Sequence, residues 1–529
     1  MMAEGFDYII IGGGSAGCVL AARLSEDPTT TVCLLEAGGR DRNPLYHLPA
    51  GFAKMTKGLG SWGWQTVPQR HMKNRVFNYT QARVIGGGSS LNAQIYTRGN
   101  AADYDDWREM GCVGWGYDDV LPYFRKAEDN DTHDNRFHGR GGPLGVSQPI
   151  APLPICEAYF EAAAALGIPR NFDVTGAAQD GVAYYQLTQR NARRSSAAMA
   201  YLAPNEHRPN LTVQTGAQVR RITCAQGRAT GVEMMDGRHL TATTEVILSS
   251  GAIGSPRLLQ LSGIGPAGHL QELGLPVVLD QPQVGENLQD HLDLYCISEL
   301  NGPHSYDRYA KPHLAALAGL QYLFTRKGPV ASSLFETGGF WYADPAARSP
   351  DIQFHLGLGT GIEKGVATMP QGGVTLNSCY LRPRSRGTVR LGSGDPGAAP
   401  LIDPNYLQDP QDREMSIRGL KLTQAIMSQD PLASYVLAER LPGPDVKTDA
   451  EYFDFICTHS KTSHHCAGTC RMGVDPGAVV DPRLRLNGLD ALRVVDNSIM
   501  PTVISSNTNA AAIMIGEKAA DMIRQDARA

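Results

Sequence analysis

The sequence has no stretch of uncharged apolar residues that is long enough to cross a membrane as a helix. A membrane-spanning helix needs about 20 such residues, and the apolar runs of this chain are shorter. Glu4 and Asp7 stand near the start, where a secretory signal peptide carries Lys or Arg. We therefore expect a cytoplasmic protein, and attachment to the periphery of a membrane stays open.

The chain also lacks an excess of basic charge. It has 48 Lys and Arg against 53 Asp and Glu, which gives a formal net charge of −5. Nucleic acids and anionic lipids are bound by basic surfaces, so polyanions are not expected as partners. The ten cysteines are scattered, unlike the framework of a small disulfide-rich secreted domain. We expect most of them to be reduced and buried.

The remaining composition is that of an ordinary globular protein. Hydrophobic residues make up 42% of the chain and charged residues 19%. A length of 529 residues exceeds what one hydrophobic core usually serves, which favours two or three domains. The sequence contains no internal repeat and no low-complexity block.

The first motif is an apolar run, a glycine turn, a helix start and a second apolar run that ends on an acid. The run before Gly12 predicts a strand, Gly14 lets the backbone approach a pyrophosphate, and Gly17 lets helix and strand pack closely. The N-terminus of the helix offers N–H groups to the phosphates. Glu36 ends the second run and can accept a hydrogen bond from a ribose hydroxyl, whereas it would repel a 2′-phosphate. The motif therefore predicts FAD or NAD, and not NADP.

A second glycine cluster, Gly86-Gly87-Gly88, is followed by Ser89, Ser90 and Asn92. Its backbone can lie against a flat or anionic group, although an ordinary turn would have the same composition.

Later segments predict more strands and helices. β-branched alternation between residues 211 and 250 predicts strands, and Ser255-Pro256 predicts the first turn of the helix that follows. Residues 305–454 mix short strands with helical stretches and differ from the nucleotide-binding part. Near the end, a strand closes on Asp496, and a helix is predicted from about Ala510. Asn507 stands at the start of that helix, where capping is one possible role.

Several blocks together carry a family resemblance that covers nearly the whole chain. The sequence resembles the glucose-methanol-choline (GMC) oxidoreductases, flavoproteins that oxidise alcohols, and within them the bacterial alcohol and choline dehydrogenase branch. The matching blocks are residues 12–17 with Glu36, and residues 86–92, 251–266, 284–291 and 465–473.

The resemblance implies an α/β fold of two domains. A discontinuous Rossmann-like FAD-binding domain would comprise residues 1–155, 207–301 and 455–529. A substrate-binding domain, an antiparallel sheet covered by helices, would comprise residues 156–206 and 302–454.

The resemblance also implies which residues bind FAD. Glu36 would lie at the adenosine ribose, Val219 near the adenine and Asp496 by the ribityl chain. Some relatives attach FAD covalently through a histidine whose position is Leu91 here, so we expect non-covalent FAD. The complete expected set is Gly12, Gly14, Ser15, Ala16, Gly17, Glu36, Ala37, Val84, Gly88, Ser89, Asn92, Ala93, Ile95, Val219, Asp496, Asn507 and Thr508.

Alcohol oxidation gives an independent reason to look for a base. Hydride transfer from the alcohol carbon to flavin N5 is easier once the hydroxyl proton is leaving, so a group such as histidine must face the oxygen. The developing alkoxide then needs a fixed donor. By the family pattern, the base is His465 and the donor is Asn507.

The substrate pocket is less defined by the sequence. Ser463-His464-His465-Cys466 departs from the Tyr-His-Pro of many relatives, and we expect His464 to line the pocket in place of an aromatic residue. Glu336 matches a pocket carboxylate, and Trp62, with its neighbour Trp64, could add an aromatic face. A neutral primary alcohol is favoured over choline, and we expect no metal because the His and Cys residues lack the usual ligand spacing.

Other interpretations remain open at this stage. The electron acceptor is either a quinone-type acceptor, which the branch favours, or O₂, in which case the chain would be an alcohol oxidase for an aryl-alcohol, choline or pyridoxine-type substrate. An NAD-dependent dehydrogenase and a flavin-binding relative without enzymatic activity are the two alternatives from other classes. A homo-oligomer is possible.

Overall fold

The computed structural model describes residues 4–150, 152–360, 369 and 371–528. Strands and helices were numbered along this part of the chain. The strands are β1 (Glu4–Ile11), β2 (Val32–Glu36), β3 (Glu128–Asn130), β4 (Leu144–Val146), β5 (Gly181–Tyr184), β6 (Gln189–Arg190), β7 (Arg193–Arg194), β8 (Leu211–Thr215), β9 (Val219–Ala225), β10 (Arg228–Met234), β11 (His239–Leu248), β12 (Ile264–Gly265), β13 (Leu279–Asp280), β14 (Leu292–Leu300), β15 (Phe335–Trp341), β16 (Ile352–Gly357), β17 (Gly373–Tyr380), β18 (Thr388–Leu391), β19 (Pro400–Asp403), β20 (Val436–Leu441), β21 (Lys461–Thr462) and β22 (Leu492–Val494).

The α-helices are α1 (Ser15–Leu24), α2 (Phe52–Met55), α3 (Gly88–Leu91), α4 (Ala101–Glu109), α5 (Tyr117–Ala127), α6 (Ile155–Ala165), α7 (Gly251–Leu261), α8 (Ala267–Glu272), α9 (Pro312–Thr325), α10 (Pro410–Met427), α11 (Asp449–His459) and α12 (Asn509–Asp526). Short 3₁₀ or π segments occupy Pro44–Tyr46, Pro49–Gly51, Ala198–Leu202, Asp307–Ala310, Pro329–Ala331, Leu432–Tyr435 and Asn497–Ile499.

One sheet is built around the first motif. Its strand order is β8-β2-β1-β11-β10-β9, and β22 pairs with β11. Strands β8, β2, β1, β11 and β22 are parallel, while β10 is antiparallel to both β11 and β9. The apolar residues of β1 and β2 are buried, as expected of parallel strands covered on both faces.

A second sheet is antiparallel, with the order β20-β14-β17-β16-β15-β5 and with β21 paired to β14. Strand β14 has every residue buried, so this sheet forms a second packed layer. The predicted α/β fold, with a mainly parallel sheet and an antiparallel one, is confirmed.

Three details of the fold bear on the sequence predictions. Helix α7 begins at Gly251, so the prediction that Ser255-Pro256 opens this helix is wrong. The Ser255 hydroxyl instead donates to Asp496 at 2.6 Å. The predicted domain boundary lies at residue 301, yet strand β14 belongs to the second sheet. A boundary drawn between the two sheets would therefore lie at residue 291. The division into two domains itself stays a prediction. Within the described ranges, no helix has the length and apolarity that crossing a membrane requires.

Candidate active site

A cavity of about 370 Å³ is lined by residues of both sheets. It runs from the glycine turn after β1 to the His465 region. Most of the predicted site residues line it: Gly12, Gly14, Ser15, Ala16, Glu36, Ala37, Trp62, Gly88, Asn92, Ala93, Ile95, Val219, His464, His465, Asp496, Asn507 and Thr508.

The start of α1 forms one end of this cavity. Gly14 occupies its cap position, no side chain caps the helix, and its first turn has no acidic residue. The N–H groups at this end are therefore available to an anionic group. Gly12, at φ +107°, makes the turn possible, since a Cβ there would lie 2.4 Å from the Ser249 carbonyl oxygen.

Glu36 lies beside that helix start. Its carboxylate accepts hydrogen bonds from the backbone N–H groups of Gly38 (2.6 Å) and Gly13 (2.9 Å). Burial raises the pKa of Glu36 to about 7, and the two N–H donors act in the opposite direction. A ribose hydroxyl that donates to the same carboxylate would further favour its charged form.

The second glycine cluster is packed directly against the first. A Cβ on Gly87 would lie 2.6 Å from the Cα of Gly14, and Gly87 has φ +56°. Gly88 follows with no atom within 4 Å of its Cβ position. These bare backbone surfaces and the uncapped start of α1 fit a pyrophosphate, so the residues present fit an adenine dinucleotide.

Four predicted residues do not line the cavity. Gly17 lets α1 pack closely against the turn that lines the cavity, because a Cβ at this position would lie 1.9 Å from the Gly12 carbonyl oxygen. Val84 belongs to a small apolar cluster, and the Ser89 hydroxyl donates to the Gly86 carbonyl at 2.6 Å.

Glu336 is the fourth of these residues. We predicted that it lies in the substrate pocket, but it does not line the cavity. Its neighbour Phe335 lines the cavity, whereas Glu336 stands at an irregularity in the pairing of β15 with β16. Glu336 is buried away from the cavity, and this burial raises its pKa to about 7.

At the other end of the cavity, Asp290 holds the backbone of His465. The His465 N–H donates to Asp290 Oδ1 at 2.7 Å. The other carboxylate oxygen accepts from the hydroxyls of Tyr79, Tyr406 and Thr462 at 2.8, 2.5 and 2.5 Å. A buried carboxylate with four donors is a rigid anchor, so the position of the imidazole is well defined.

His291 determines which nitrogen of His465 carries a proton. Nε2 of His291 lies 3.1 Å from the Leu381 carbonyl oxygen and must be the donor, because a carbonyl only accepts. Burial lowers the pKa of His291 to about 4, so its Nδ1 is an acceptor at neutral pH. Nδ1 of His465 lies 2.9 Å from that acceptor and therefore carries the N–H. Nε2 of His465 is left with a lone pair.

Asn507 lies against this lone pair. Its Nδ2 is 3.0 Å from His465 Nε2, and its Oδ1 accepts from Gln353 Nε2 at 2.9 Å and from Thr97 Oγ1 at 3.1 Å. These two donors orient the amide so that Nδ2 points to His465. Thr508 occupies the N-cap position of α12 and makes no side-chain cap hydrogen bond. The amide of Asn507 bonds to Gln353, Thr97 and His465 and does not cap the helix.

The imidazole of His465 is held neutral. Burial lowers its pKa well below the ordinary value, and the positive charge of nearby Lys461 acts in the same direction. At neutral pH the residue is therefore ready to accept a proton at Nε2.

Two tryptophans line the same cavity, and each ring has an aromatic and a guanidinium neighbour. Trp62 and Trp64 are stacked, with centroids 4.9 Å apart. The Cζ of Arg83 lies 4.5 Å from the Trp62 centroid, and that of Arg257 lies 5.9 Å from the Trp64 centroid. Each tryptophan ring therefore already has an indole and a guanidinium as neighbours.

Sequence reasoning missed most partners of His465. His291 lies in a block that was quoted for the resemblance, yet no role was predicted for it. Gln353 and His355 lie on β16 in the second sheet, more than a hundred residues from His465. Only the alternation of side chains along β16 could have indicated that these two residues point to the same side of the sheet. Asp293, Asn377 and Lys461 also line the cavity without having been predicted.

Two family models match this chain. Both are described as GMC oxidoreductase; the N-terminal model matches residues 6–293 and the C-terminal model residues 383–516.

Individual proteins are similar over nearly the full length. The alcohol dehydrogenase [acceptor] of Pseudomonas putida is 42% identical, with 98% of this chain and 95% of that protein covered. The mitochondrial choline dehydrogenase of Homo sapiens is 41% identical, with 98% and 90% covered. Among solved structures, pyridoxine 4-oxidase from Mesorbium loti superposes with a TM-score of 0.89 at 35% identity, with 99% of each chain covered.

Proposed function

Since the chain belongs to the GMC oxidoreductase family and is an FAD-dependent enzyme that oxidises alcohols, we propose that it converts a primary alcohol to the aldehyde with His465 as the base. The observation that carries this proposal is the lone pair on His465 Nε2, which faces the cavity beside the Asn507 amide. The role of each of these residues follows from its hydrogen bonds.

His465 takes the hydroxyl proton of the substrate at Nε2. The positive charge that forms there is stabilised by His291, because His465 Nδ1–H donates to the neutral His291 ring. Asn507 Nδ2 donates to the oxygen as negative charge develops on it. The bound flavin supplies the hydride acceptor for the carbinol carbon.

The FAD would be held by the helix start at Gly14, by Glu36 and by the glycine cluster around Gly88. We propose that it is bound without a covalent link, because Leu91 lines the cavity at the position of the attachment histidine and has no nucleophile. Acid denaturation of the purified protein should release the yellow colour into the supernatant. Colour that stays with the precipitated chain would contradict this part of the proposal.

For the electron acceptor, we propose a quinone or a similar compound. The similarity to an alcohol dehydrogenase [acceptor] at 42% identity supports it, while the likeness to pyridoxine 4-oxidase at 35% identity keeps O₂ as the second candidate. Reoxidation of the alcohol-reduced enzyme by air and by a soluble quinone, measured side by side, separates the two. Faster reoxidation by air would make the chain an oxidase.

The proposal is tested by anaerobic titration of the holoprotein with a panel of primary alcohols. We expect the visible flavin band to bleach and one equivalent of aldehyde to form per flavin reduced. A secondary alcohol and NADH serve as controls for reduction that does not depend on a primary alcohol. A flavin that stays oxidised with every alcohol would overturn the proposal. The predicted division into two domains and the cytoplasmic location are parts of the proposal that this experiment leaves aside.

A further inference from the structure

The wall of the cavity formed by the second sheet carries a polar group of residues that the chemistry above does not use. Asp293 is the second residue of β14, the strand that begins directly after His291. Lys461 is the direct partner of Asp293 across β14 and β21. Asn377, on the neighbouring strand β17, lies diagonally from Asp293. All three line the cavity, and we refer to Asp293, Asn377 and Lys461 as the polar wall.

The charges of the polar wall compensate each other. Lys461 Nζ lies 3.8 Å from Asp293 Oδ2, and Asn377 Nδ2 donates to the same carboxylate oxygen at 3.3 Å. A carboxylate by itself would attract a cationic substrate, but here an ammonium group faces the same space. The wall is therefore polar and close to neutral in sum.

The amide oxygen of Asn377 has no hydrogen-bond partner among the described residues. The residue is only 2% exposed. A buried amide oxygen without a partner is costly, so this atom favours a ligand that brings a donor. A hydroxyl group can donate to Asn377 Oδ1 and accept from Lys461, whereas a quaternary ammonium group can do neither.

The aromatic part of the cavity gives an independent reason against a quaternary ammonium substrate. Such cations bind to the open faces of aromatic rings. Trp62 and Trp64 already stack on each other, and the guanidinium groups of Arg83 and Arg257 lie beside them. A cationic substrate would meet guanidinium groups next to the rings and an ammonium group in the polar wall.

We propose that the polar wall binds a second, uncharged hydroxyl group of the substrate, so that the preferred substrate is a primary alcohol with a distal hydroxyl. This inference rests on the proposed function and names the substrate class for the same site. Lys461 is close enough to His465 to act on its charge. A short carbon chain would therefore separate the two hydroxyls of the substrate, one held at His465 and the other at Asn377 and Lys461.

Two matched pairs of alcohols test the proposal on the wild-type holoprotein. In 1,4-butanediol and 1-pentanol, a hydroxyl replaces a methyl group of the same size. Choline and 3,3-dimethyl-1-butanol differ only in the positive charge. We expect kcat/KM to be about tenfold higher for the diol than for 1-pentanol, the value of one good hydrogen bond, and lower for choline than for its neutral counterpart. Equal values within the first pair, or a preference for choline, would overturn the proposal.

Variants of the polar wall sharpen the test, because a ratio of two substrates on one variant cancels differences in folding and FAD content. Lys461→Met should raise the choline to 3,3-dimethyl-1-butanol ratio about tenfold, and Asn377→Val should abolish the preference for the diol. Lys461→Gln is the alternative if the methionine variant does not fold. Lys73→Met, which removes a lysine paired with Asp454 outside the cavity, is the control and should leave both ratios unchanged.

The failure of this inference can be told apart from the failure of the proposed function. All four alcohols could reduce the flavin with the same kcat/KM, or Lys461→Met could leave the choline to 3,3-dimethyl-1-butanol ratio unchanged. In either case the polar wall does not discriminate between substrates, and only the present inference is lost. If none of the four reduces the flavin, the proposed function is lost and this inference with it.

Discussion

The two ends of the cavity are built in different ways. At the nucleotide end, the wall is mostly backbone, and the hydrogen bond from Gly13 to Glu36 spans only 23 positions. At the catalytic end, the wall is made of side chains from distant segments, and the contact of His291 with His465 spans 174 positions. Binding at the nucleotide end depends on the space and the N–H groups that the backbone leaves available. Reactivity at the catalytic end depends on how the side chains orient one another.

This difference predicts that substitutions at the two ends have different consequences. Changes at the nucleotide end should alter how much FAD is bound, with little effect on the rate of each enzyme molecule that holds FAD. Changes at the catalytic end should alter the rate of flavin reduction while FAD stays bound.

The largest effect is expected for Gly12→Ala. The new Cβ would lie 2.4 Å from the Ser249 carbonyl at a φ of +107°, so the turn must shift and the protein should be purified colourless or not at all. The flavin to protein absorbance ratio measures this. Gly5→Ala on β1, the strand that precedes this turn, is the matched control, because nothing lies within 4 Å of its Cβ position. This variant should keep its full complement of FAD. A yellow Gly12→Ala protein would show that the turn tolerates a side chain.

Asn507→Ala is expected to slow flavin reduction about 10²-fold, the usual cost of losing one donor to a developing oxyanion. The wild-type and variant rates are compared by anaerobic stopped-flow spectroscopy at saturating alcohol, with FAD content measured on the same samples. An unchanged rate would remove the amide from the reaction, and a loss of FAD alone would make Asn507 a residue of the nucleotide end.

His291→Ala should lower the rate about tenfold, the rate equivalent of one lost hydrogen bond. Without the acceptor at His291 Nδ1, the proton of His465 is free to move to Nε2, which removes the base. His291→Asn offers an amide oxygen near the position of Nδ1 and should recover part of the rate. If both variants react equally slowly, the role of His291 is packing and not the choice of tautomer.

The smallest effects concern pH. Burial lowers the pKa values of His291 to about 4 and of His355 to about 3, below the value of about 6.5 expected in the unfolded chain. Between these values the unfolded chain binds more protons, so the free energy of unfolding should fall as pH decreases below about 6.5, by up to about 1.4 kcal/mol per pH unit for each histidine. Urea unfolding at several pH values measures the slope, and His355→Gln should reduce it. An unchanged slope would mean that His355 is not buried in its neutral form.

The pKa of His465, lowered by burial and by the positive charge of Lys461, has a parallel consequence for activity. The base should remain unprotonated above about pH 6.5, so kcat/KM should be level there and should decline only at lower pH. An acid limb centred above pH 6.5 would contradict the neutral, buried imidazole.

The same contrast explains what the sequence could reveal. Gly12, Gly14, Gly17 and Glu36 are recognisable because turn geometry and helix ends require particular residues at fixed spacing. His465 and Asn507 were identified only through the family resemblance. Glu336 was misplaced, because which face of a strand points to the cavity depends on pairing in a sheet whose strands are distant in sequence. The partners His291 and Gln353 were overlooked for the same reason.

The central claim is that His465 removes the hydroxyl proton, and a single-turnover comparison tests it most directly. Wild-type protein and His465→Ala, both loaded with FAD, are mixed anaerobically with a saturating primary alcohol. We predict that the variant retains its flavin and reduces it slower by 10²-fold to 10⁴-fold, the range contributed by a positioned base. A variant that reduces its flavin at the wild-type rate would contradict the account.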